Sequence, residues 1–82
     1  MANRESLLAW VFDAVKALGG EASVTEVAKY LWNNHEAELR QSGDLFYTWQ
    51  YEMRWAAQRL RDEKKFAASA GRSNRKWALT NE

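Results

Sequence analysis

The residues best equipped for chemistry lie in one stretch, Asp44 to Glu63, DLFYTWQYEMRWAAQRLRDE. At about 100° per residue, Tyr47, Gln50, Tyr51, Arg54, Gln58 and Arg61 gather on one side of a helix, and that set contains no acid. Leu45, Phe46, Trp49, Met53, Ala56, Ala57 and Leu60 gather on the other, which reads as core. Rings, amides and guanidinium groups are the side chains that read base edges in a DNA groove. Arginine meets guanine O6 and N7, while rings and methyls accept an apolar bump. Tyr47, Tyr51 and Trp55 recur at i, i+4 and i+8 and so stack along the helix. The tyrosines fall on the side a core does not need. Trp49, beside Met53 and Leu60, belongs to the core, and Trp55 sits at the boundary, where a tryptophan at helical spacing is more often packing than contact.

Charge is distributed to match. The net charge is only +1, yet residues 54–77 carry eight basic side chains against two acids, and residues 1–53 carry four against eight. A local basic excess is the footprint of a phosphate binder. Gln58, Arg61, Lys64, Lys65, Arg72, Ser73, Asn74, Arg75 and Lys76 are expected to touch a nucleic-acid backbone. Thr48, with the first backbone N–H groups of its helix, is expected to hold a further phosphate. Taken one at a time, any of these charges is equally well explained as a solvated surface group.

Composition narrows the classes. Eighty-two residues make one domain, spanning 1–82 with an ordered core over about 4–80 and only Met1–Asn3 and Asn81-Glu82 frayed. A chain of this size buries roughly 60% of its unfolded surface. Cysteine is absent, so no disulfide or thiolate metal site assists, and five Trp, three Tyr and three Phe must supply the packing. The N-terminal MANRESLL has no apolar run of the signal-peptide kind, and no segment reaches the ~20 apolar residues of a membrane span. The expectation is a soluble, cytoplasmic protein without cofactor or metal. An enzyme is disfavoured by one His, no Gly-rich phosphate loop and no acidic constellation of the nuclease kind. The single His35 has no second ligand near it and is expected to be exposed or capping.

The elements that would position these residues follow in order. Residues 4–18 place Leu7, Leu8, Val11, Ala14, Val15 and Leu18 on one helical face, with Trp10 at its rim and Gly19-Gly20 as the stop. Glu21-Ala22 fits a very short strand. Ser23 and Glu26 have capping-box spacing and open a second helix with Val24, Val27, Ala28 and Leu31 inward. Residues 35–42 continue that helix or form a separate short one, and Gly43 breaks the run. Asp44 is suited to cap the third helix, 44–63. Beyond it the period falls to 2. Phe66 and Ala68 alternate, then Trp77 and Leu79, around a Gly71-Arg72-Ser73-Asn74 turn. This predicts a hairpin over 64–79, basic at its tip and apolar toward the helices.

The expected class is therefore mainly α with a small β-hairpin, a winged helix-turn-helix of three helices plus a wing, the third helix entering the major groove. The segments ALGGEASVTEVAKYLW, YTWQYEMRWAAQRLRDE and the Gly-Arg hairpin ending RKWALT resemble the winged-helix modules of modification-dependent restriction enzymes. Those are the Mrr N-terminal type and the Dpn type that cuts adenine-methylated DNA. The resemblance covers residues 5–80, with the run from Tyr47 to Ala56 its most specific part. It implies a bacterial or phage, restriction-associated reader of double-stranded DNA containing N6-methyladenine, nucleoid-associated, with a nuclease or other effector acting in trans. By that reading Tyr47, Gln50, Tyr51, Arg54 and Trp55 contact bases and methyls. Two alternatives share the architecture: a transcription regulator that binds unmodified DNA as a dimer, and a winged helix that docks on protein within a larger complex, the exposed rings acting as hot spots.

Overall fold

A computed structural model of the chain describes residues 3–67 and 76–80. It is mainly helical, with α1 over Ser6–Ala17, α2 over Val24–Arg40 and α3 over Leu45–Asp62. A two-stranded antiparallel sheet joins β1, Glu21–Ser23, to β2, Lys76–Ala78.

The local signals account for the element boundaries. Helix α1 ends in a Schellman arrangement. The Gly20 N–H donates to the Val15 carbonyl at 2.8 Å and the Gly19 N–H to the Lys16 carbonyl at 3.2 Å. Both glycines have positive φ, 99° and 95°, where a Cβ would be strained. Leu18, expected on the buried face, is the C-cap of α1 and stands 40% exposed, because the chain has already left the helix there. Asn3, expected to fray, is bonded instead: its Oδ1 accepts from the Ser6 N–H and its own N–H donates to Ser6 Oγ.

Helix α2 opens with the complete capping box. The Glu26 N–H donates to Ser23 Oγ at 3.1 Å, and the Ser23 N–H donates to Glu26 Oε1 at 2.8 Å. That backbone donor holds the Glu26 carboxyl below its ordinary value of 4.5 against the opposing effect of desolvation, with lesser help from the Ser23 hydroxyl, Lys76 and Lys29. The stabilisation is thus fully present above pH 4.5 and is lost as pH falls through the lower folded-state value. Glu26→Gln, which imitates the protonated acid, is expected to lower Tm at neutral pH, and the gap from wild type should close on acidification. A gap independent of pH would contradict the assignment. Ser23→Ala should cost about 1 kcal/mol at neutral pH and less in acid, where the hydroxyl no longer favours an ionised Glu26.

The question of residues 35–42 resolves as one helix with a kink. His35 has non-helical angles, φ −133° and ψ 20°, inside α2. Its ring is half-buried, stacked 3.9 Å from Trp10 at 11°, and Nδ1 lies 2.9 Å from Glu38 Oε1. It is neither simply exposed nor a cap. Ser42 Oγ donates to the Glu38 carbonyl and Gly43, at φ 62°, turns the chain toward α3.

One core joins all elements. Leu7, Val11, Ala14 and Val15 of α1, Val27, Leu31 and Leu39 of α2, and Trp49, Met53, Ala56, Ala57 and Leu60 of α3 meet Ala22, Phe66 and Trp77. In the sheet Ala22 pairs with Trp77, so both inward residues sit opposite each other. Among the described residues the first arm expected for the hairpin contributes one antiparallel bridge, Phe66 to Leu79. Two further bonds tie this end of the molecule together. The Leu79 N–H donates to the Gly20 carbonyl at 2.9 Å and Thr80 Oγ1 donates to the Lys64 carbonyl at 2.6 Å. Among the described residues no helix is long and apolar enough to cross a membrane.

Candidate nucleic-acid interface

Helix α3 presents two faces of different character. Trp49 is 6% exposed and stacked on Trp32, ring centroids 6.1 Å apart, with Met53 and Leu60 sealed farther along the same side. On the other side Tyr47 is 82% and Tyr51 76% exposed, and Gln50, Arg54 and Gln58 are exposed with them. Large rings at such exposure are uncommon on a surface that has only to stay wet, and they share a face with two amides and a guanidinium. The Tyr47 ring is steadied by Phe46, edge-on at 5.1 Å. Arg54 makes no ion pair with another described residue.

Several expectations change on this face. Phe46 is half-buried at its rim, not core, its ring tilted against Trp32 of α2 at 6.4 Å with the Arg40 guanidinium 5.8 Å over it. Arg61 is half-buried and its Nε, shielded from solvent, has no hydrogen-bond partner among the described residues. The face is not free of acid either, since Gln58 Nε2 donates to Asp62 Oδ1 at 3.1 Å at its C-terminal end. Trp55 is half-buried, and the Arg4 guanidinium lies 4.2 Å over its ring, so one ring face is already taken.

The phosphate site expected at the start of α3 is not formed. Asp44 has helical angles and makes no side-chain cap. The N–H groups of Leu45, Phe46 and Tyr47 donate instead to the carbonyls of Ser42, Gly43 and Asp44, at 3.2, 3.1 and 3.0 Å. A tight turn satisfies the orphan donors that an anion would otherwise use. Thr48 turns its hydroxyl back to the Asp44 carbonyl at 3.4 Å.

The basic residues after α3 divide. Lys64 is exposed and takes a left-handed conformation, φ 67°, at the position after the helix where glycine is usual. A side chain there costs roughly 1 kcal/mol, so the lysine is poorly suited to the backbone it occupies. Lys65 pairs with Glu63 at 3.7 Å and lines a groove against α1 with Glu5, Asp13 and Phe12. Leu60 and Glu63, also in that groove, lie on the far side of α3 from Tyr47, so Lys65 is separated from the tyrosines. Lys76, paired with Ser23 across the sheet, stands near Glu26 at the start of α2. Arg72, Ser73, Asn74 and Arg75 lie outside the described residues.

Helix α2 adds residues that sequence reading passed over. A groove of about 580 Å³ runs between α2 and α3. Thr25, Lys29, Trp32 and Asn33 line it from α2, and Phe46, Trp49, Gln50 and Arg54 from α3. Among the described residues its lining holds two cations, two amides and a hydroxyl over an aromatic floor, and no carboxylate. Gln50 and Arg54 belong both to this groove and to the tyrosine face, so the two surfaces are continuous. The spacing of Thr25, Lys29, Trp32 and Asn33 on one side of α2 was the available signal, but it points to a partner only once α3 is beside it.

No family model matches the sequence, and no similar protein was found among the curated proteins or the solved structures.

Proposed function

We propose that the chain is a winged helix-turn-helix domain that binds duplex DNA and prefers duplexes containing N6-methyladenine. The element order supports the architecture: helix, strand, helix, helix, then a strand that returns antiparallel to the first, with Phe66 bridged to Leu79. The observation that carries the function is the outward display of Tyr47 and Tyr51 beside Gln50 and Arg54, on a helix whose opposite side is sealed. On this reading α3 enters the major groove and the carboxylate-free groove beside it receives the sugar and phosphate of one strand. Thr25, Lys29 and Arg54 meet the phosphate oxygens there.

Adenine N6 projects into the major groove, where a methyl replaces a donor edge with an apolar bump. Tyrosine rings shelter it from water, and each methyl so covered should tighten binding about fourfold, from about 0.8 kcal/mol per buried carbon. The resemblance to modification-dependent restriction modules leads to the same preference. A mobility-shift comparison of fully methylated, hemimethylated and unmethylated duplexes is expected to give affinities falling in that order. Equal affinities would leave DNA binding without the methyl preference. Absence of binding at ~50 mM salt, where phosphate contacts are strongest, would leave the exposed rings as a protein-docking surface.

A further inference from the structure

Arg4 lies far from α3 in sequence but against it in space. Its guanidinium sits 4.2 Å over the Trp55 ring, and Nη1 reaches Glu52 Oε1 at 3.8 Å. The backbone around it is held: Asn3 and Ser6 exchange hydrogen bonds on either side, and the Arg4 carbonyl accepts from the Leu7 N–H at 3.1 Å. The side chain nevertheless remains 55% exposed. Trp55 follows Tyr51 by one helical turn on neighbouring lines of α3, so the guanidinium borders the tyrosine face.

We propose that Arg4 is a phosphate-binding residue of this surface, held by Trp55, and that Glu52 occupies in the free protein the place a DNA phosphate oxygen takes in the complex. The inference rests on the DNA-binding reading and extends it to the opposite edge of α3 from the α2 groove. A planar guanidinium stacked on an indole keeps its in-plane N–H donors directed outward, which suits two oxygens of one phosphate. Its contact with the half-buried Glu52 is long, 3.8 Å, and open to solvent on the Arg4 side, hence weak, and a duplex phosphate of high local charge density displaces it. Two phosphate-binding edges, one on each side of the tyrosines, would fix the rotation of α3 in the groove.

The test measures affinity for one duplex over a range of salt concentrations. Arg4→Ala is expected to reduce the slope of log K against log salt by about 0.9, one phosphate contact. Arg4→Lys should keep the slope while binding more weakly than wild type, because the ammonium loses the stacked, two-pronged geometry. Glu52→Gln removes the competing carboxylate and should tighten binding, by up to about fivefold. If Arg4 only braces α1 against α3, Arg4→Ala lowers Tm and leaves the slope unchanged, which overturns the proposal while DNA binding by the wild type stands. A wild type that does not bind duplex DNA overturns the parent reading and this one with it.

Discussion

Trp49→Ala is expected to abolish the cooperative thermal transition of the domain at and above room temperature. The side chain is 6% exposed, stacked on Trp32 and packed with Met53 where α2 and α3 meet. Removing a buried tryptophan typically costs about 3–5 kcal/mol, combining lost transfer energy with the cavity left behind. The chain has no cysteine for a disulfide and lies just above the ~70–80 residues below which a single core rarely supplies more than about 3–5 kcal/mol. The loss therefore takes most of the stability, and the variant should be largely unfolded. Circular dichroism through a thermal ramp checks this. Trp49→Phe retains most of the aromatic contact and should still melt cooperatively, at a lower temperature. If Trp49→Ala melted like the wild type, the inward ridge of α3 would have been misassigned, and the outward assignment of Tyr47 and Tyr51 would fall with it.

That dependence explains why the two faces of α3 were legible in the amino-acid order. A helix whose apolar residues recur at 45, 49, 53, 56, 57 and 60 can bury only one side, and its remaining residues are assigned by subtraction. The capping box at Ser23 and Glu26 and the glycine stop after α1 were legible for a similar reason, since each is completed within a few residues. What escaped is long-range. Phe46 falls within the apolar arc, but its ring stops at the rim, against Trp32 and Arg40 of α2. Asp44 has the right type for a cap, yet the Ser42-Gly43 turn delivers backbone carbonyls to the same donors first. Arg4 over Trp55, Lys65 turned toward α1, and the pairing of residues 21–23 with 76–78 join parts of the chain whose proximity no local pattern encodes. The α2 side of the groove belongs with these, because Lys29 and Asn33 look like any solvated helix surface until Gln50 and Arg54 stand opposite.

The second large effect concerns the exposed face itself. Tyr51→Ala and Arg54→Ala remove side chains that support nothing in the core, so far-UV circular dichroism and Tm should stay close to wild type. Each should nonetheless weaken DNA binding by about 1–3 kcal/mol, roughly five- to 150-fold. The two losses should differ in kind. On the proposed reading Arg54 meets a phosphate at the edge of the α2 groove, so its removal should weaken methylated and unmethylated duplexes alike. On the same reading Tyr51 shelters the methyl, so its removal should also narrow the ratio between them.

The most direct measurement is a fluorescence-anisotropy titration of one fully methylated duplex with wild type, Tyr51→Ala and Arg54→Ala at a single fixed salt concentration. The outward face of α3 is the DNA surface if both folded variants bind at least about fivefold more weakly than wild type. Folded variants that bind as tightly as wild type would contradict it.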